Sequence, residues 1–563
     1  MNSNTAKMPL RMTLAALMAA SVSACVGNST TSSSDTVSSS SAAVSSSSDT
    51  SVSSAAPVSS SSIAPSSSSV ASSSQVVSSS SVMSSESSSV VSSSSAPSNA
   101  AYVVGDTIEA EDLNTEVSQS YMIEQGDGFQ NVGFFGAGSV LCYDDVDLTG
   151  VQSIEFMYAR NGVDVPTDGR FAILAGGPDP LTATNLGEKF TTTTGGWTTF
   201  QPLVVGLEAN TIGTTQLCLY GTESGGIGNF DKFTLSASPG SNDGITEFDL
   251  GVPTGPAVDP VRVINGDVTY GGVAKSLAGV SLFWSAPASG SDGFYNKEAV
   301  KWLIDDWGIE FIRAAMAVDD NKQDGATIEE LGGYLTKPFI NQHALEEVVH
   351  AAIENGIYVI IDWHAHRAQD NKDAAVAFFS EMAQKYGEFE NVMYEVYNEP
   401  VDTNWDEIKS YAEEVIAAIR EHDPDNLVIV GTPTFSQDVD QVVNNEINDP
   451  NVAYTLHFYA NESAHQGPLR QKAMTALAQS IPLFVTEWGL TPASGDGPIV
   501  NDFELQQWID LMKDNNISHA NWAISSHDQT SATIQRGAST RGNWSDADLT
   551  EAGRKVRELI RNW

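Results

Sequence analysis

A chain of 563 residues, 41% of them hydrophobic, is long enough for two or three domains with sizeable cores. Its formal charge of −44, from 71 acidic against 27 basic residues, argues against nucleic acid or an anionic membrane surface as a partner, since both would repel it. The balance suits a protein that acts on a neutral substrate.

Residues 1–24 read as an export signal, in which Lys7 and Arg11 supply the positive region and Leu10 to Ala20 the apolar stretch. That stretch is too short to span a bilayer. It runs into Val22-Ser23-Ala24-Cys25, which resembles the lipobox of bacterial lipoproteins. The resemblance implies that Cys25 is lipidated and becomes the mature N-terminus. With Val26 rather than Asp next, it also implies anchoring at the outer membrane, facing the cell exterior. Residues 25–101 are dominated by Ser, with too few periodic apolar residues to form a core. They read as a disordered tether spanning roughly 45 Å r.m.s..

The composition changes at Tyr102. Residues 102–238 contain short apolar or alternating runs, DTIEAE, VLCYDDV, SIEFMYA, RFAILAG, WTTFQPLVV, TQLCLYG and DKFTLS. Gly-rich turns such as NVGFFGAGS, TTTTGGW and ESGGIGN separate them. Strands at this spacing, without helical periodicity, predict a β-sandwich of jelly-roll type. Cys142 and Cys218 lie in two of the runs, and either one bridge or two separate buried thiols fits. Residues 239–260, rich in Gly, Pro and Asp, read as a linker.

From 261 to 563 strand-like runs alternate with helical ones. The strand-like runs are AGVSLFWS, EFIRAAMA, IYVIIDWH, VMYEVYNE, LVIVGT, AYTLHFYA, PLFVTEWG and HANWAIS. Between them, segments such as HALEEVVHAAIENG and DEIKSYAEEVIAAIREH carry apolar residues at helical spacing. Eight such units predict an α/β fold, a (β/α)8 TIM barrel. A doubly wound sheet is disfavoured, because no Gly-rich phosphate loop follows the first strand.

Active sites of such barrels form at the C-terminal ends of the strands. Those ends carry Trp284, Arg313, His364 with His366, Asn398 with Glu399, His457 with Tyr459, Glu487, and Trp522. Glu399 and Glu487 each close an almost wholly apolar run, where a carboxylate is costly unless a site uses it. Two carboxyls on one barrel face are what glycoside hydrolysis requires. The His364-Ala365-His366 pair near Asp362 also looks like a metal-ligand motif, but a barrel metallohydrolase needs further His and a bridging Lys or Asp at other strand ends, where the matching ends here offer two Glu and a Trp.

The set AGVSLFWS, FIRAAMA, VIIDWHAH, YEVYNEP, YTLHFYA, LFVTEWG and NWAIS, in this order over about residues 265–563, strongly resembles glycoside hydrolase family 5, in particular its bacterial endo-β-1,4-glucanases. The resemblance implies a retaining enzyme without a catalytic cofactor, with Glu399 as acid/base and Glu487 as nucleophile. It implies that Asn398 binds the sugar 2-hydroxyl and that Arg313 and Tyr459 position Glu487. His364 and His457 would line the reacting subsite, Trp522 would form its floor, and Trp284 would contact substrate. His527 and Gln529 stand where relatives carry Lys and Glu, which touches distal subsites only. Glu399 is expected to have a raised pKa and Glu487 to be anionic beside Arg313.

Residues 106–238 resemble family 6 carbohydrate-binding modules, through IEAED at 108–112, QNVGF at 130–134, GGW at 195–197 and GNFDKF at 228–233. The resemblance implies a sugar cleft formed by Phe134, Trp197 and Asn229, and a structural calcium for which Glu109, Glu111 and Asp231 are candidates. The expected partner is cellulose or a related cell-wall β-glucan, and the expected state is a monomer. Mannan and mixed-linkage glucan are alternative substrates for the same machinery, and a catalytically silent polysaccharide receptor is the alternative outside enzymology. Because a linker joins them, the two modules are expected to act independently.

Overall fold

The computed structural model describes residues 102–125, 130–162, 168–209, 212–223, 226–246, 248–318 and 332–563. The export segment, Cys25 and the serine-rich stretch lie outside the described residues. Among those described, no helix is long and apolar enough to cross a membrane.

The first ten strands are β1 Thr107–Glu109, β2 Met122–Gln125, β3 Gln130–Phe135, β4 Val140–Asp147, β5 Ser153–Ala159, β6 Gly169–Ala175, β7 Thr184–Thr191, β8 Gln201–Gly206, β9 Thr214–Glu223 and β10 Gly228–Ser236. They form two antiparallel sheets, β2-β3-β10-β5-β8 with β1 also on β10, and β4-β9-β6-β7. Alternate residues of both sheets meet in one core, where Phe135, Phe156, Phe171 and Phe230 pack edge to face at 5.3–6.3 Å. Cys142 and Cys218 face each other across β4 and β9 and are bridged.

The pattern NVGFFGAGS, which reads as a turn, is in fact mostly strand β3. Gly133 is there because a Cβ would sit 2.8 Å from the Glu124 carboxyl on β2. A glycine in a strand can mark such a close approach rather than a turn. Strands β2 and β7 escaped the sequence pattern altogether, and β8 begins at Gln201 rather than at Trp197.

After a small antiparallel sheet, β11 Val261–Ile264, β12 Asp267–Tyr270 and β13 Val273–Ala274, comes a closed parallel barrel. Its strands are β14 Ala278–Leu282, β15 Phe311–Ala317, β16 Tyr358–His364, β17 Val392–Glu395, β18 Val428–Val430, β19 Val452–Tyr459, β20 Leu483–Gly489 and β21 His519–Ile524. Phe311, Ile360, Met393, Ile429 and Phe484 fill the barrel, and Val261, Val268 and Tyr270 of the small sheet pack onto them. Helices include α1 Lys297–Trp302, α2 Pro338–Asn355, α3 Lys372–Tyr386, α4 Trp405–Arg420, α5 Gly467–Leu477, α6 Asp502–Asp514 and α7 Glu551–Arg561. Helix α2 starts with Pro338 in its first turn and stops at Gly356, whose φ of 67° is the left-handed cap. Asn404, Asn501 and Thr550 cap α4, α6 and α7 by accepting from backbone N–H groups three residues on. The turn of the chain at Pro433–Ser436 is left-handed at Thr434, Phe435 and Ser436, with φ of 59°, 56° and 57°.

The two sheets are packed against the barrel, contrary to the expectation of independent modules. Val140 and Cys142 of β4, Ala172 and Leu174 of β6, and Cys218 and Tyr220 of β9 form the second face of the four-stranded sheet, and they join Phe248 and Ile340 in one apolar cluster. Ile340 belongs to α2, and Phe339 beside it meets Tyr220 and Phe248 at 6.1 and 5.9 Å. Lys337 Nζ donates to the Ala137 carbonyl at 2.5 Å, and Arg541 bridges Glu223 at 2.5 Å and Glu298 at 3.1 Å. The stretch read as a linker is held at both ends. Asp243 N donates to the Glu188 carbonyl, and Gly255 lies so near α2 that a Cβ would be 1.8 Å from the Ile353 carbonyl oxygen.

Candidate active site

The barrel strands deliver Arg313, His364, His457, Tyr459, Glu487 and Trp522 to one end of the barrel. Asn398 and Glu399 stand in the loop just past β17, and Trp284 stands past β14. The fourth strand is shorter than its apolar pattern because β18 has only three residues, so the ladder ends once Val396 N has reached the Ile429 carbonyl.

Arg313 organises the floor. Its fully buried guanidinium donates to Glu395 Oε2 at 2.6 Å, Asn398 Oδ1 at 2.6 Å and Glu487 Oε2 at 3.2 Å, and lies 2.9 Å from Asp362 Oδ2. Burial alone would weaken its charge, but Asp362, Glu395 and Glu487 together keep it firmly protonated. Burial raises Glu395 and pushes Asp362 up to about 7, with Arg313 holding both partly back. Tyr459 donates to the other oxygen of Glu487 at 2.6 Å, so both carboxylate oxygens of Glu487 are held by donors. A donor on each oxygen fixes the orientation of the group.

Glu399 is held differently. His457 Nδ1 lies 2.8 Å from Oε1 and His366 Nε2 lies 3.4 Å from Oε2. Burial opposes ionisation of Glu399, yet the hydrogen bonds from His366 and His457 and their charge outweigh it. The carboxyl therefore sits well below the usual range, opposite to the raised value expected from sequence. His457 moves the other way: burial disfavours its cation, while Glu487 and the hydrogen bond to Glu399 favour it more strongly. Between the two groups, these opposite shifts favour the proton on the imidazole over the carboxyl. His457 Nε2 continues to Thr486 Oγ1 at 2.9 Å, and that hydroxyl donates to Glu395 Oε1 at 2.6 Å.

Glu395 is the residue that sequence reasoning missed. It sits four positions before Glu399 in YEVYNEP, wholly buried, and accepts from Arg313, Thr455 and Thr486. A second glutamate inside the same apolar run was the available signal.

The peptide joining Asn398 to Glu399 is fixed on both sides. Ser436 Oγ donates to the Asn398 carbonyl at 2.6 Å, and Glu399 N donates to the Ala365 carbonyl at 3.2 Å. The left-handed turn described above is what brings Ser436 to that carbonyl, while Phe435 N donates to the Pro400 carbonyl at 3.0 Å. His364 is pushed down to about 3 by burial and the charge of Arg313, so its ring is neutral. It is paired through Nδ1 with Asp362 at 2.8 Å and stacked on Trp522 at 5.2 Å. Trp284 lies 6.1 Å from His364, with its buried indole N–H lacking a hydrogen-bond partner. His527 bonds Ser291 Oγ at 2.9 Å and packs on Phe283 at 4.4 Å, and burial lowers it to about 4.

A carboxylate oxygen of Glu399, one of Glu487 and a ring nitrogen of His457 all lie within 4.8 Å of one another. Residues 267–528 match the family model Cellulase (glycosyl hydrolase family 5). Endoglucanase Z of Dickeya dadantii is 47% identical over 309 residues, which cover 54% of this chain and 67% of that protein. A solved structure from Cytophaga hutchinsonii is 42% identical, covers 54% of this chain and 95% of its own, and superposes with a TM-score of 0.50. The chain belongs to glycosyl hydrolase family 5. It is a glycoside hydrolase of the cellulase type. Endoglucanase A of Evansella cellulosilytica is 46% identical over 274 residues, but these are 48% of the family 5 chain described here and only 53% of that relative.

In the paired sheets of this family 5 enzyme, the predicted cleft residues do converge in part. Asn229 Nδ2 donates to Glu124 Oε2 at 2.8 Å and to the Trp197 carbonyl at 3.1 Å, and Phe134 is 66% exposed on the neighbouring strand. Glu124, on the strand that the sequence pattern passed over, is the addition. The expected calcium ligands are not gathered into one group. Glu111 Oε2 is buried without a partner, as a cation ligand would be, but the carboxylates of Glu109, Glu111 and Asp231 form no three-ligand group among the described residues. Glu109 is exposed opposite Lys232, and Asp231 lies 3.5 Å from the Lys232 ammonium.

Proposed function

We propose that this enzyme cleaves internal β-1,4-glucosidic bonds of cellulose or a related β-glucan by double displacement, with Glu487 as nucleophile and Glu399 as acid/base. The observation that carries the reading is that one carboxylate oxygen of Glu399 and one of Glu487 lie within 4.8 Å of each other, which brings the two carboxyl groups close together. Retaining enzymes hold them about 5–5.5 Å apart, whereas inverting ones leave about 6.5–9.5 Å for a water. The donors around Glu487 support its role, since Arg313 and Tyr459 hold one carboxylate oxygen each and keep the attacking group aimed. In this reading His457 returns its proton to Glu399 along their 2.8 Å hydrogen bond as the leaving oxygen requires it. Asn398, tethered to Arg313, is then placed for the sugar 2-hydroxyl, and Trp284, His364 and Trp522 line the subsites. The pocket of Glu124, Asn229, Trp197 and Phe134 serves as a sugar-binding site on the sheets. The chain is exported and held at the outer membrane through a lipid on Cys25.

Azide rescue with an activated β-glucoside tests the two carboxyl roles. Glu487→Ala should lose turnover by several orders of magnitude, and azide should restore it as the α-glycosyl azide, by one inversion at the vacated nucleophile site. Glu399→Ala should give the β-azide, through the intact glycosyl-enzyme. The crossed outcome would overturn the assignment. Reducing-sugar release from cellulose, mannan and mixed-linkage glucan identifies the polymer.

A further inference from the structure

The four-stranded sheet is apolar on both faces. In β4, β6 and β9 one set of alternate residues enters the core between the sheets, and the other set meets Phe248 and Ile340. A sheet with one free face would alternate apolar with polar. The second face is therefore built to be covered, and α2 covers it.

The covering elements belong to the catalytic end of the barrel. Lys337 and α2 follow β15, the stretch 285–298 follows β14, and Arg541 follows β21. The sugar-pocket side of the sheets is also close. Gly133 and Phe134 lie on β3, and Ala137, three residues past Phe134, receives the Lys337 hydrogen bond, a span of roughly 10 Å of extended chain.

Between the docked parts lies a cavity of about 550 Å³. Its walls include Arg170, Phe190 and Glu223 from the sheets and Asp292, Ala344 and Arg541 from the barrel. That volume falls within the range of small-ligand sites. Its walls carry both signs of charge beside hydrogen-bonding groups, which suits neutral polyhydroxyl units better than an ion. Ser285 also lines it and directly follows Trp284 of the candidate active site.

We propose that the sheets and the barrel form one docked substrate-binding unit, in which this crevice takes distal sugar units of a β-glucan chain whose scissile bond lies between Glu399 and Glu487. The proposal rests on the glucanase reading. It replaces a loosely tethered binding module with a fixed one, so that a chain passes from the sheet pocket along the crevice into the barrel.

The experiment compares two variants with the full-length enzyme. Ala344→Trp fills the crevice from α2, and Phe248→Ser with Lys337→Ala loosens the docking. Each is assayed on a short chromogenic cellobioside, on cellohexaose and on insoluble cellulose, and small-angle X-ray scattering reads the separation of sheets and barrel. Cellobioside turnover should stay unchanged in both, which also shows that the barrel is folded. For each, kcat/KM on cellohexaose should fall roughly two- to ten-fold, the worth of about one net hydrogen-bonded contact. Rates on insoluble cellulose should fall at least as far. Wild-type rates on cellohexaose for Ala344→Trp would overturn the crevice as a site. Wild-type rates for a Phe248→Ser, Lys337→Ala enzyme shown by scattering to be undocked would overturn a role for docking. Scattering from the unmodified enzyme that requires separated modules would overturn both. If the unmodified enzyme cleaves none of the three glucans, it is the glucanase reading that fails.

Discussion

Two imidazoles on one carboxylate decide how the acid of this site is stored. The Glu399 carboxyl is lowered by its hydrogen bonds with His366 and His457, and the His457 imidazole is raised by the charge of Glu487 and the hydrogen bond to Glu399. Because the folded-state pKa of His457 is raised, its proton is present at acidic pH and is lost as pH rises through that raised value. Activity should therefore fall on the alkaline side when His457 deprotonates and Glu399 loses its proton source. His457→Asn should lower kcat by about 10²-fold or more, in the range of lost acid–base assistance, and should move the alkaline limb of kcat/KM to lower pH. A pH–rate profile with the alkaline limb unmoved would show that the proton is stored elsewhere.

At the scale of the element, the left-handed turn at Pro433–Ser436 is the clearest departure from local preference. Thr434 and Phe435 are bulky residues in a region that favours Gly and Asn, at a cost of about 1–3 kcal/mol each. The surroundings hold them there through the Ser436 hydroxyl on the Asn398 carbonyl and the Phe435 N–H on the Pro400 carbonyl. The effect is to set the plane of the peptide that carries both Asn398 and Glu399. Ser436→Ala and Ser436→Gly both delete that hydroxyl, so kcat should drop about five-fold in each, with KM little changed. Thermal melting should separate them, because Gly accepts the φ of 57° that Ala resists, leaving the Gly variant the more stable. Equal kcat in both variants and the parent enzyme would mean that the turn only closes the loop.

For the whole molecule, the docked sheets and barrel carry an acidic surface away from the cell, if Cys25 is the anchor. Cys25→Ser should then move the enzyme from the membrane fraction to the soluble fraction with specific activity intact, since the catalytic carboxylates and their hydrogen-bond partners all belong to the barrel. Membrane association that persists in the variant, followed by fractionation and immunoblotting, would exclude lipidation at this position as the anchor.

The eight barrel strands, the two carboxylates and Arg313, His457, Tyr459 and Trp522 were legible in the sequence. A buried parallel strand is a continuous apolar run, and a polar residue at its end is conspicuous. The double-faced burial of the four-stranded sheet was also written there, in VLCY, FAILA and QLCLY, although periodicity reports that a face is covered and not by what. Tertiary structure alone decided the rest. Arg313 reaches Glu487 across 174 positions and Arg541 reaches Glu223 across 318. Glu395 joins the site because a neighbouring guanidinium and two hydroxyls meet its carboxyl, and Glu399 is lowered because two imidazoles, one on β19 and one just past β16, reach it. The charge state of a buried group is set by what surrounds it in space, and a linear sequence does not state those neighbours.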